Sequence, residues 1–152
     1  MFNFGIIRQH ISEVLKILYD LKVNTYEQSN YLYKITNIAD RNLLTKLRID
    51  QHDLQDCIGR KKNISRICPL CEQSNETLSH FLIVCPILES VRLSHFQKLK
   101  NSLEWWNNLD ASKQVALLLS GEQDINRNSI HIKLLTSMYT KRKYQLSIHV
   151  SQ

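Results

Sequence analysis

Cys68 and Cys71 flank Pro69 and Leu70, and His80 and Cys85 follow, so the chain carries the spacing C-x2-C-x8-H-x4-C. Three thiolates and one imidazole are donors that zinc takes tetrahedrally. A set closed by four protein ligands builds structure and leaves no open position for catalysis. The short first gap lets one tight turn aim both thiolates at a single point, and Pro69 stiffens that turn. The second pair is reached differently. Asn75 is placed as an N-cap, Glu76 suits a first helical turn, and Leu78, Phe81, Leu82 and Cys85 fall at i, i+3, i+4 and i+7, which predicts a helix. Residues five apart on a regular helix point about 140° away from each other. His80 and Cys85 therefore need a break. Pro86 disfavours the α region for Cys85, so the helix is expected to unwind there and swing the sulfur back toward His80.

Two plainer readings compete. Free cysteines are among the most buried residue types, so the set could be core side chains without a metal; the close pairing and the histidine argue against this. A redox C-x-x-C wants a strand before it and a helix directly after, whereas the polar residues Glu72 to Glu76 follow here. Zinc held by Cys68, Cys71, His80 and Cys85 is the expectation, and Cys57 is left as a small buried side chain outside the shell.

The 152 residues have the length of one domain with at most a small module added, and 43% hydrophobic residues allow a real core. With three of the four cysteines in the metal set, no disulfide framework is needed, which predicts a reducing compartment, nucleus or cytoplasm. No apolar run approaches the 18 or so residues of a spanning helix, and the first residues lack the profile of a signal peptide. No membrane association is expected. The net charge is +6 and the isoelectric point about 9.2, which leans toward a polyanionic partner. Arg60, Lys61, Lys62 and Arg66 lie just before the first thiolate without an intervening acid, and Lys141, Arg142 and Lys143 form a second cluster. The plainer reading of both is an ordinary solvated face.

Three glycines and two prolines in the whole chain imply few turns and long helices. Apolar stripes place helices at 5–22, from Tyr31 through Ile38 with a continuation at Leu43, Leu44 and Leu47, from Ile87 through Leu103, and from about Asn128 to Ile148. Asp110 is expected to cap a short helix ending near Gly121. Residues 55–67 read as a basic connector turning at Gly59, with room for a short strand near Ile64 to Cys68. Asp50, Asp53 and Asp56 read as one exposed or ion-paired helical face, and Arg48 and His52 as neighbours on a helix. Trp105 and Trp106 are expected to plug the core more than to stack on bases. The fold class is mainly α, a small helical domain built around a CCHC zinc knuckle. Its parts are an N-terminal helical segment (1–40), the zinc module with its basic connector (41–90) and a C-terminal helical segment (91–152).

Several of these stretches resemble the C-terminal, zinc-binding tail of reverse transcriptases from non-LTR retrotransposons. The matching pieces are Leu44-Thr-Lys-Leu-Arg48, His52-Asp-Leu54, Gly59-Arg60, Arg66-Ile-Cys68-x2-Cys71, Glu76-Thr-Leu-Ser-His80-Phe-Leu and Cys85-Pro86. Ala116-Leu-Leu-Leu-Ser-Gly and Tyr139-Thr-Lys-Arg-Lys143 look similar too, so the likeness covers roughly residues 31–147. The resemblance implies the end of a longer polyprotein, a truncated or free-standing tail. It also implies a finger region that helps hold template RNA or target DNA near a reverse transcriptase body. Neither a Tyr/Phe-x-Asp-Asp polymerase motif nor a nucleophile–base pair stands in the sequence, so the chain is not expected to be an enzyme. The expected function is a zinc-binding accessory module contacting RNA or DNA phosphates; the alternative is a zinc-stabilised scaffold docking on a polymerase.

Overall fold

Asn37 begins the first described helix: its Oδ1 accepts the N–H groups of Ala39 and Asp40 at 2.8 and 3.2 Å. This caps α1 (Ile38–Arg48), which buries Leu44 and Leu47 and carries Lys46 and Arg48 in its last turn, where the helix dipole favours cations. The fold is known from a computed structural model that describes residues 35–102, 106–119 and 125–150. The expected helix at 5–22, with Tyr31, Leu32, Trp105 and Gly121, lies outside the described residues.

The stretch read as a connector is itself helical over its first half. Helix α2 (Gln55–Lys62) has Asp56 in its first turn, Arg60, Lys61 and Lys62 in its last, and a left-handed Asn63 (φ 54°) as its stop. Gly59 is therefore mid-helix. A Cβ there would stand 2.4 Å from the Arg66 Cγ and 2.9 Å from the Ile64 carbonyl oxygen, so glycine serves the close return of the chain over α2. The expected strand shrinks to a single antiparallel bridge between Ile67 and Asn75.

After a wide turn at His80–Val84 and a 3-10 turn at Pro86–Leu88 come α3 (Glu89–Ser102), a 3-10 turn at Trp106–Asn108, α4 (Ala111–Leu119) and α5 (Ile125–Val150). Asp110 caps α4 as expected, accepting the Lys113 N–H at 2.9 Å. Val115 to Leu119 are all buried, so α4 runs through the interior. The molecule is mainly helical, with no strand among the described residues. One core gathers Leu44, Leu47, Phe81, Leu82, Leu88, Leu117, Leu134, Leu135 and Met138, so the residues bearing the second ligand pair are part of it. Phe81 meets Tyr139 edge-on at 5.0 Å, and Trp106 meets Phe96 at 5.2 Å. Trp106 thus packs in the core, as the sequence implied.

Candidate metal centre

The chain enters the site through a small hairpin. The Cys68 N–H donates to the Ser74 carbonyl (2.7 Å), the Glu76 N–H to the Arg66 carbonyl (2.9 Å) and the Glu72 N–H to the Cys68 carbonyl (2.9 Å). Glu72 adopts φ 56°, a left-handed turn that closes the loop behind Cys71. The second pair follows a short helical stretch that begins later than the sequence implied. Thr77, not Asn75, caps it: its Oγ1 accepts the His80 N–H at 3.1 Å. Glu76 therefore stands outside the helix.

His80 and Cys85 stand five positions apart, and the backbone absorbs the mismatch by widening. The Cys85 N–H donates to the His80 carbonyl at 2.7 Å, the i→i+5 bond of a π turn. Cys85 itself has φ −54° and ψ 119°, outside the α region, as a residue before proline should be. The sulfur thus returns toward His80 as expected, with the wide turn as a second cause that the spacing alone did not reveal.

The three sulfur atoms and a His80 ring nitrogen all lie within 4.8 Å of one another. His80 Nε2 is 3.3 Å from the Cys71 Sγ, while Nδ1 is 2.8 Å from the Ser74 hydroxyl. A ligand histidine whose other nitrogen is held in this way has its ring orientation fixed. Burial lowers the pKa of His80, with Arg92 adding to the effect against Glu76, which favours the neutral imidazole that coordination requires. Cys68 is pushed up by its contact with Cys85 and by burial. Cys85 is drawn below its usual value by the same contact. The crowded sulfurs compete for protons that a divalent cation would displace.

A second group, Asp50, His52 and Cys57, also converges and is buried. It is not a comparable metal site. The Asp50 carboxylate already receives Arg60 Nη2 at 3.0 and 2.8 Å and faces His52 Nε2 at 3.1 Å. An added cation would sit beside a guanidinium. Cys57 donates to the Asp50 carbonyl at 3.3 Å and is the small buried side chain expected of it.

The cations divide sharply. Arg142, read as a phosphate contact, is instead 5% exposed; its Nε and Nη2 donate to Glu76 at 2.7 and 2.8 Å. Arg60 is tied to Asp50 and, at 3.1 Å, to Asp56, so it too belongs to the fold. Arg66 is exposed yet 3.5 Å from Asp56, and Lys61 reaches the Gln51 side chain at 3.0 Å. Lys62 and Lys143 are exposed, and Lys141 lies 5.9 Å over the Tyr144 ring. Asp50 is buried, Asp53 exposed and Asp56 paired with arginines, so the three do not share one helical face. Arg48 ends α1 and His52 stands in the loop beyond it, so they are not helical neighbours either. Sequence reasoning missed Ser74, Arg92 and the inward role of Glu76. The only signal was for Arg92, a charge between Val91 and Leu93; Glu76, between Asn75 and Thr77, gave none.

No family model, no curated protein and no solved structure matches this chain.

Proposed function

We propose that Cys68, Cys71, His80 and Cys85 bind one zinc ion, and that the zinc-closed module holds the phosphates of RNA or DNA. The convergence of four soft and borderline donors within 4.8 Å carries the metal assignment. The donor set favours zinc over harder ions, and with every position filled by protein the ion closes structure without opening a catalytic site. The chemistry it supplies is cross-linking: the Cys68–Cys71 hairpin is fastened to the wide turn of His80 and Cys85. The resemblance to reverse transcriptase tails agrees with this reading, which assigns no enzymatic activity to the chain.

Lys61, Lys62 and Arg66 are the proposed phosphate contacts, with Lys141 and Lys143 second. All of the first set are exposed; Lys61 and Lys62 end α2, and the carbonyl of Arg66 accepts the Glu76 N–H of the hairpin. Phosphate contacts position a nucleic acid without reading its sequence. A second reading is favoured by the pairing of Arg60 and Arg142 with acids and by the exposure of Ile64 and Ile67 around Arg66. On that reading the module is a scaffold docking on a protein such as a polymerase body.

Salt titration separates the two. Replacing Lys61 and Lys62 with Gln should flatten the slope of log affinity for RNA or DNA against log salt by roughly 1.4 to 1.8, with zinc still bound. Binding to unrelated sequences should weaken alike. A slope unchanged in the double variant removes these lysines from the interface and leaves the scaffold reading.

A further inference from the structure

Arg92 stands in the second turn of α3 and is only 5% exposed. Its guanidinium is turned onto the wide turn that carries two of the four ligands. Nη2 donates to the Cys85 carbonyl and Nη1 lies 3.5 Å from the Phe81 carbonyl. Arg60 and Arg142 are matched by Asp50 and Glu76. Arg92 is different: among the described residues no carboxylate stands within ion-pair distance of it. On its own helix the nearest acid, Glu89, is exposed and forms no ion pair with it. A guanidinium buried against carbonyl dipoles alone is an expensive arrangement, and buried charges are ordinarily paired.

We propose that Arg92 is the counter-cation of the metal centre, an inference that rests on the zinc reading above. A zinc ion bound by three thiolates and a neutral imidazole carries a net charge of −1. Such an anion, with three of its four ligands buried, gains from a compensating charge, and Arg92 needs an anion. Together they are neutral. Arg92 is thus a positioning residue: it holds the carbonyl of Cys85, the residue at which the wide turn ends, and places positive potential behind that sulfur. Two consequences follow. All three cysteines are bound as thiolates, and their nucleophilicity is damped, because an electrophile meets a neutralised complex and not an anionic one.

The test uses the full chain loaded with zinc. Arg92→Gln keeps a donor for the Cys85 carbonyl and loses the charge, whereas Arg92→Lys keeps the charge. Zinc affinity, read by competition with a chromogenic chelator, should fall about tenfold or more in Arg92→Gln, and maleimide should eject its zinc faster. Arg92→Lys should stay close to wild type in both. Equal behaviour of the two variants, or an unchanged Arg92→Gln, overturns the proposal while leaving zinc binding intact. Wild type that binds no zinc overturns the reading beneath it as well. A measurement on the unsubstituted protein guards against a variant that does not fold. Cys68 and Cys85 are equally enclosed, so mass mapping of partly alkylated holoprotein should find Cys85 modified more slowly than Cys68. The reverse order removes Arg92 from its role.

Discussion

Cys57 and Cys85 are equally buried, and only their surroundings separate them. One hydrogen-bonds to a carbonyl oxygen and the other meets two sulfurs and an imidazole. Cys85→Ser should therefore weaken or abolish zinc retention, while Cys57→Ser should retain one equivalent. Elemental analysis of dialysed protein decides, and equal loss from both would place Cys57 in the shell. Asp50 offers a second test at this scale. Burial alone would raise its pKa, but the close His52 ring and the hydrogen-bonded Arg60 guanidinium outweigh it and hold the carboxyl down to about 2. A carboxylate depressed on folding adds stability above its unfolded pKa of about 3.9 and loses it as pH falls toward the folded value. The contribution, on the order of 2 kcal/mol, should be present at neutral pH and fade between about pH 4 and 2. Asn tolerates the positive φ of 54° that Asp50 adopts, so Asp50→Asn is the comparison. Its stability deficit in urea should shrink across that window, with zinc chelated in both proteins to exclude metal loss. A deficit constant with pH would mean that the charge contributes nothing. The four ligands were legible because cysteine and histidine are few and their spacing is constrained. The fates of Arg60 and Asp50 were not, because an ion pair formed across a positive-φ turn leaves no periodic trace.

The elements show the same division. Helices α4 and α5 follow apolar spacing that can be read directly, with Asp110 as the cap of α4. In α1, Leu44 and Leu47 are inward as read, but the helix begins at Ile38, which is exposed, where the spacing places the inward end of an earlier helix. Helix α2 was concealed because Gly59 and three consecutive basic residues look like a turn and a solvated strip. A glycine in a helix costs about 1 kcal/mol relative to alanine, so by propensity alone Gly59→Ala should stabilise the chain. Close packing argues the opposite. The new methyl would press on the Ile64 and Ser65 carbonyl oxygens at 2.9 and 3.0 Å as well as on Arg66, and overpacking costs roughly 1–3 kcal/mol. Backbone cannot yield as a side chain can, so the second effect should win. Gly59→Ala is expected to be less stable by about 1 kcal/mol in urea, with weaker presentation of Arg66. A more stable variant would show that 64–66 moves aside freely. The wide turn at His80–Val84 was half legible: Pro86 announced that the helix must fail at Cys85, but not that it would widen first.

At the scale of the molecule, a single carboxylate joins the metal loop to α2 and α5. Glu76 lies between the two ligand pairs, is fully buried, and accepts the Gln55 N–H at 2.6 Å as well as Arg142 of α5. Arg142 also reaches the Asp53 carbonyl at 3.2 Å. The start of α2, the ligand hairpin and the C-terminal helix therefore meet at one ion pair whose partners are 66 positions apart in the chain. That distance explains why Glu76 resembled a helix-start residue and Arg142 a phosphate contact. Truncating one partner of a buried pair leaves the other charge uncompensated, at a cost of about 3–5 kcal/mol, whereas replacing both with apolar groups of similar volume is often nearly neutral. Arg142→Met and Glu76→Leu should each lower the stability of the zinc-loaded chain by roughly that amount. The double variant should recover much of the loss, giving a strongly non-additive cycle in denaturant. Zinc affinity should follow the same order, because Glu76 fixes the segment between Cys71 and His80. If the single losses simply add, or zinc affinity ignores Arg142, the ion pair is not what couples the metal loop to α5.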